Sequence, residues 1–173
     1  MVRLDKKLGE LSKLAGGSIN YASECIQFRE TETGYIVEAA NGKSAAVTTG
    51  GDQIEKSSFN GTPILLRADQ WKQAVNQRGA IVAEVKGTST VITCGGTQVT
   101  LEHQDGRFPD IAKVIPEHEV KVKVNAKLLA ELLLIASKFA DANNYFGVTL
   151  SLNGDKPIRV SCGGFDGVVV PLI

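Results

Sequence analysis

The chain has 173 residues, 43% of them hydrophobic and 22% charged, enough to bury a real core in one or two small domains. No apolar run approaches the ~20 residues of a membrane helix, and the opening MVRLDKKLGEL turns amphipathic at once; the expectation is a cytoplasmic protein with no membrane partner. Nineteen basic side chains cancel nineteen acidic ones, so bulk charge argues neither for nor against a nucleic-acid partner, and only its distribution is informative.

Residues 4–15 place Leu4, Leu8, Leu11 and Ala15 on one stripe and Lys6, Lys7, Glu10 and Lys13 away from it, which predicts an amphipathic helix ended by Gly16 and Gly17. Only residues 1–3 precede it, so a strand leading into this helix is short or supplied by another chain. From Glu24 the pattern becomes strand-like: ECIQFRET, a turn at Glu32-Thr33-Gly34, YIVEAA, the hairpin signal Asn41-Gly42, then KSAAVTT.

The cycle then recurs. A strand over 63–66 leads to a helix from Arg67 to about Gln77, followed by the strands AIVAEVKG, STVITCGG and TQVTLEHQ and the segment DGRFPDIAKVIP. A third cycle has the alternating strand EVKVKV, the helix NAKLLAELLLIASKFA capped by Asn125, and the strands GVTLSLNG, PIRVSC and FDGVVVPLI. The order strand, helix, three strands thus repeats at about 55 to 60 residues.

Each cycle offers one helix to cover a small antiparallel sheet, which predicts an α+β fold with helices on one face of antiparallel sheets. Two cycles, about 1–58 and 59–116, make one domain. The third, 117–173, is an odd half-unit that pairs with another chain.

Taken as 4–15, 67–78 and 125–140, the three helices carry Lys6, Lys7, Lys13, Arg67, Lys72, Arg78, Lys127 and Lys138 against Asp5, Glu10, Asp69 and Glu131, eight against four. Their net +4 leaves −4 for strands and loops. Exposed helix faces favour lysine in any protein, but basic helices with acidic sheets also suit helices that face phosphates without reading bases.

Cys25, Cys94 and Cys162 form no CxxC or Cys/His cluster, and sit in strand-like stretches as buried free thiols. His103 and His118 lie in polar stretches, read as surface positions, without a nucleophile motif or metal-ligand spacing. No P-loop, GxSxG or HExxH occurs, so no catalytic residue, metal or cofactor is assigned. Trp71 and Phe139 read as core residues on their helices.

The stretch DGRFPDIAKVIP, Asp105 to Pro116, closely resembles the segment that ends the second domain of the bacterial DNA polymerase beta sliding clamp family. ILLRADQWKQAV and GAIVAEVKGTSTVITCGGTQVTLEH upstream are similar to that half-domain. ECIQFRETETGYIVEAANGKSAAVTT is similar to the half before it, although Ala40-Asn41-Gly42-Lys43-Ser44-Ala45 keeps the family's glycine turn without its histidine, arginine and leucine. VKVNAKLLAELLLIASKF to GVVVPLI resembles the last half of the third domain. The first domain and the opening half of the third have no counterpart.

The resemblance implies a non-enzymatic ring of twelve half-units, with helices lining the hole and sheets outside. It implies double-stranded DNA bound without sequence specificity, and a replicative DNA polymerase and clamp loader as partners. Those partners dock in an apolar pocket whose positions map onto Gly42, Ser44, Pro109, Val114, Val168, Val170, Pro171 and Leu172. Four chains of three half-units would close such a ring. Leu128, Leu129, Leu132, Leu133, Leu134 and Ile135 leave the third helix little polar surface, so it either meets a partner helix in that tetramer or is more deeply buried within one chain. The rival function is a clamp-fold adaptor or regulator that binds replication proteins without encircling DNA.

Overall fold

Strand alternation marks much of the first two cycles, with Val37, Ile81, Ala83, Val85 and Ile92 inward and their neighbours half-buried or exposed. In the computed structural model, residues 1–16, 22, 24–51, 61–115, 121–142, 146–153 and 156–172 are described, and they fall into two compact units, Met1–Ile115 and Pro116–Ile173.

Unit 1 opens with β1 (Val2–Leu4) and a 3-10 helix (Lys6–Leu14), followed by β2 (Cys25–Glu30), β3 (Tyr35–Ala40) and β4 (Ala45–Gly50). Its second half runs through β5 (Ile64–Arg67), α1 (Ala68–Val75), β6 (Ile81–Lys86), β7 (Ser89–Cys94), β8 (Thr97–Glu102) and α2 (Ile111–Val114). The strands make two four-stranded antiparallel sheets, ordered β4-β3-β2-β5 and β1-β6-β7-β8.

That order means each half hands its leading strand to the other half's sheet. β1 lies on β6 with Val2 opposite Ala83 and Leu4 opposite Ile81, and β5 lies on β2 with Ile64 opposite Phe28 and Leu66 opposite Ile26. Neither sheet is complete without the other half. The leading strand of the first cycle is therefore short, and it comes from this chain. Leu4 belongs to it instead of to the helix.

Between the sheets and the helices lies one core, where Ile26, Phe28, Leu66, Trp71, Ile81, Ile92 and Leu101 are all but inaccessible. The Phe28 and Trp71 rings meet at 5.8 Å, tilted by 41°, a favourable edge-biased contact. The first helix is a 3-10 helix where the stripe predicted an ordinary amphipathic helix. Asp5 caps it through Lys7 N at 2.8 Å, and Ser12 Oγ bonds back to Gly9 O at 2.7 Å. Gly9 marks a close approach of the two helices: a Cβ at that position would come within 2.6 Å of Asn76 Oδ1 and 3.2 Å of Val75 Cγ2. A glycine also lowers α-helix propensity, and it accompanies the tighter winding.

Unit 2 holds α3 (Ala126–Ala136) and a three-stranded antiparallel sheet of β9 (Thr149–Ser151), β10 (Ile158–Cys162) and β11 (Phe165–Val169), ordered β11-β10-β9. Asn125 caps α3 as expected, its Oδ1 accepting from Lys127 N at 3.0 Å and Leu128 N at 3.3 Å. α3 lies on β10 and β11, and Gly167 permits the approach, since a Cβ there would meet Leu132 Cδ1 at 2.6 Å.

Three expectations for this unit need correction. Phe139 is 59% exposed, stacked on Phe165 at 5.4 Å, because no second helix covers that end of α3 among the described residues of the unit. The helix is not deeply buried either: of its residues only Ala136 is buried, and Leu128 and Leu134 are 55% and 68% exposed. Of the predicted strand EVKVKV, residues 119–120 lie outside the described residues. Over 121–124 the backbone makes one isolated bridge, Val124 to Pro171, in place of a regular strand.

Candidate nucleic-acid interface and partner site

Helix boundaries redistribute the predicted cations. Within the 3-10 helix, α1 and α3, the counterparts of the three predicted helices, stand Lys6, Lys7, Lys13, Lys72 and Lys127 against Glu10, Asp69 and Glu131, a net of +2 in place of +4. Arg67 ends β5, while Arg78 and Lys138 fall in the turns after α1 and α3. Propensity alone could not place these ends, because the turn residues around them are ordinary helix formers.

In unit 1 the 3-10 helix and α1 pack side by side, joined by Trp71 Nε1 donating to Leu8 O at 3.2 Å. Lys13, Arg67 and Lys72 gather around one open depression of about 400 Å³, together with Glu24 and Asp69. Two of the three are held by acids. Lys13 pairs with Glu10, whose carboxyl is driven below its usual range by that contact. Arg67 forks onto Asp69, Nε to Oδ1 at 3.1 Å and Nη2 to Oδ2 at 3.2 Å, with Glu24 at 3.5 Å; the fork raises the guanidinium and lowers the Asp69 carboxyl.

Lys6, Lys7, Lys72, Arg78, Lys127 and Lys138 are exposed and make no ion pair among the described residues. Lys6 shares a second open depression, about 520 Å³, with Arg3, Tyr35 and Gly79. Arg3 was missed in the sequence because it precedes the helical stripe; its signal is the exposed middle position of β1.

The predicted partner pocket divides between the two units. In unit 1, Gly42 takes φ +80°, which a side chain would strain, and Asn41 Oδ1 gathers Lys43 N, Ser44 N and Ser44 Oγ at 3.0, 2.8 and 3.0 Å. The Ser44 hydroxyl is thereby committed to its own turn. Half-buried Pro109 leads into α2, which lies against β4, the strand that Ser44 enters. Val114 is the last residue of α2. Lys113 Nζ holds Asp110 Oδ2 at 2.8 Å beside them, lowering the carboxyl.

In unit 2, Val168 and Val170 stand out from the tail, 65% and 66% exposed, while Val169 between them is buried. Pro171 is bridged to Val124, and Leu172 N donates to Lys123 O at 2.7 Å, so the tail is pinned while its outer apolar face stays open.

No cluster of three or more His, Cys, Asp or Glu able to hold a metal occurs among the described residues. Cys25 and Cys94 are buried free thiols as expected, Cys162 is half-buried, and burial raises the Cys25 thiol. His103 is not a free surface group: its Nε2 lies 3.0 Å from Thr90 Oγ1, and burial depresses its pKa. His118 lies outside the described residues.

This arrangement of paired half-units, each a helix over antiparallel strands with leading strands exchanged, defines a class of fold shared with solved proteins. Over 98% of its length the chain superposes on the DNA polymerase sliding clamp of Pseudomonas aeruginosa with a TM-score of 0.78 at 17% identity, covering 50% of that chain. The DNA polymerase III beta subunit of Thermotoga maritima gives 0.71 and 17%, over 99% of this chain and 50% of that one. The Bacillus subtilis DNA polymerase sliding clamp gives 0.73 and 14%, over 98% and 48%. The fold is that of the bacterial sliding clamps, and the chain spans about half the length of the clamps it matches. No protein-family model and no curated protein matches the sequence.

Proposed function

We propose that the chain is a sliding-clamp-like processivity factor that encircles duplex DNA as an oligomeric ring and tethers a replicative polymerase to it. The observation that carries this reading is the pair of helices packed together in unit 1, on which Lys6, Lys7 and Lys72 are exposed and make no ion pair among the described residues. Lysines so placed meet phosphates and not base edges, so binding is sequence-independent and salt-sensitive.

Four chains of three half-units complete the ring, and Lys127 and Lys138 extend the basic lining from unit 2. A polymerase or clamp loader docks a short apolar peptide on unit 1 at Gly42, Ser44, Pro109 and Val114, and the tail of unit 2 offers Val168, Val170, Pro171 and Leu172 as an apolar surface of its own. The chain performs no chemistry itself and works in the cytoplasm; none of its described helices is long and apolar enough to cross a membrane.

The test is retention on closed circular duplex, with the polymerase's loader supplied, followed by linearisation. Escape from the ends after cutting supports encirclement. Equal retention on circular and linear DNA contradicts it, and binding to a replication protein without DNA retention assigns the chain an adaptor role.

A further inference from the structure

Unit 1 shows how this supersecondary unit completes itself, and unit 2 carries both halves of that exchange unused. In unit 1, the leading strand β5 is held on one side by its own half: Leu65 O accepts from Gln104 N at 2.9 Å, just past β8. Its other side, through Ile64 and Leu66, pairs with Phe28 and Ile26 of β2, the first strand after the other half's helix. β1 makes the reciprocal pairing with β6.

In unit 2 the first contact is reproduced. Lys123 stands three residues before α3, as Leu65 stands three before α1, and Lys123 O accepts from Leu172 N at 2.7 Å, just past β11. Backbone groups alternate sides along an extended segment, so the amides of Val122 and Val124 turn away from that contact, as those of Ile64 and Leu66 do. Among the described residues no strand takes them. Equally, β9 pairs on one side with β10, and no described strand lies on its other edge, the edge on which β2 receives β5 and β6 receives β1 in unit 1. Leu150, opposite the fully buried Val160 and so on the same face, is left 45% exposed.

The helix is unmatched in the same way. In unit 1, Val75 and Asn76 lie against Gly9 of the neighbouring helix. Aligned on the N-caps Arg67 and Asn125, Leu133 and Leu134 take those two places in α3.

We infer that the partner of unit 2 is unit 2 of a second copy of this chain. Segment 121–124 of each copy adds antiparallel to β9 of the other, and the two α3 helices pack side by side through Leu133 and Leu134. A donor strand and an acceptor edge on the same unit are both satisfied in a two-fold pair, which makes the interface isologous and closed. This deepens the oligomer reading above and rests on it only for the number of chains. In the four-chain ring the pair supplies one kind of joint.

The test is the solution mass of the full chain by light scattering, for wild type, Val122→Pro and Leu134→Asp. Proline removes an edge amide, and the aspartate sits on an exposed helix position that tolerates charge without unfolding. Wild type has an even number of chains, and each variant falls to about half the wild-type mass while amide exchange in β10 and β11 is unchanged. In wild type, the Val122 and Leu150 amides exchange more slowly as protein concentration rises. A monomeric wild type, variants that keep the full mass, or concentration-independent exchange at both amides would overturn the pairing. A tetramer indifferent to both variants sinks this interface and leaves the ring standing. Halved masses in a protein that never stays on circular DNA keep the interface and sink the ring.

Discussion

The indole Nε1 of Trp71 donates to the main-chain carbonyl of Leu8 across 3.2 Å, fastening the helices of the two halves of unit 1 to each other. Trp71 is also fully buried against Phe28, so one side chain serves both the core and the joint. Trp71→Phe keeps most of the apolar volume but strands the Leu8 carbonyl, and is expected to cost about 1–3 kcal/mol. Trp71→Ala adds a large cavity and should cost about 3–5 kcal/mol. Urea unfolding followed by circular dichroism measures both, since the chain has a single tryptophan and either variant removes its fluorescence. Equal losses for the two variants would show that packing of the ring contributes nothing beyond the hydrogen bond.

The cations on the paired helices are not equivalent. Lys72 is exposed without an ion pair among the described residues, whereas Arg67 is forked onto Asp69 with Glu24 beside it. Lys72→Glu and Lys6→Glu should each weaken duplex binding for every sequence and reduce the slope of log affinity against log salt by about 1 per lost phosphate contact. Arg67→Gln should change little, and Asp69→Asn should strengthen binding by releasing the guanidinium. Titrations of fluorescent duplex at several salt concentrations rank the four; Arg67→Gln weakening binding more than Lys72→Glu would reverse the assignment.

His103 gives the fold a pH dependence whose sign follows from burial. Its folded pKa lies below the ordinary value of about 6.5, because the ring is shielded beside buried Thr90, so the unfolded chain binds more protons between the two values. The stabilisation is complete above about pH 6.5 and is lost as pH falls through the depressed folded pKa. His103→Gln should flatten stability across that window. The carboxyls of Asp69, Asp110 and Asp166, lowered by Arg67, Lys113 and Arg159, lose their contributions in a separate, more acid range, below the ordinary value of about 3.9. Urea midpoints of wild type and variant, measured from neutral pH downward, should diverge once the pH falls below the ordinary histidine value of about 6.5.

Local chemistry made much of the fold legible in the sequence. Asn41-Gly42 marked its hairpin because asparagine closes the turn and glycine supplies the positive φ, and Asn125 marked the start of α3 because its carboxamide caps the first amides. The strand exchange was not legible, since nothing in VRL or ILLR says which sheet each joins; that choice is made by long-range packing against Ala83 or Phe28. The same limit misplaced Phe139, whose spacing on the helical stripe suits a core only where a second helix exists to cover it. In the candidate site, ion pairing was not readable: the Arg67–Asp69 fork depends on where β5 ends and α1 begins.

The tail of unit 2 separates binding from folding within three consecutive residues. Val168 and Val170 face solvent on one side of the end of β11, and Val169 points into the core opposite Ile158. A charge at an exposed position away from special features usually changes stability by less than about 0.5 kcal/mol, whereas a charge at a buried valine has to be dehydrated without a partner. Val170→Asp should therefore leave thermal unfolding and the amide protection of β10 nearly unchanged. If the tail receives the apolar anchor of a replication protein, the same substitution should weaken binding of a leucine- and phenylalanine-bearing peptide at least tenfold, read by fluorescence polarisation against the full chain, since a desolvated carboxylate facing an apolar side chain costs about 1.4 kcal/mol or more. Val169→Asp should abolish both binding and protection. Undiminished peptide affinity in folded Val170→Asp would remove the tail from the partner site and leave the hairpin and α2 of unit 1 as the surface to probe next.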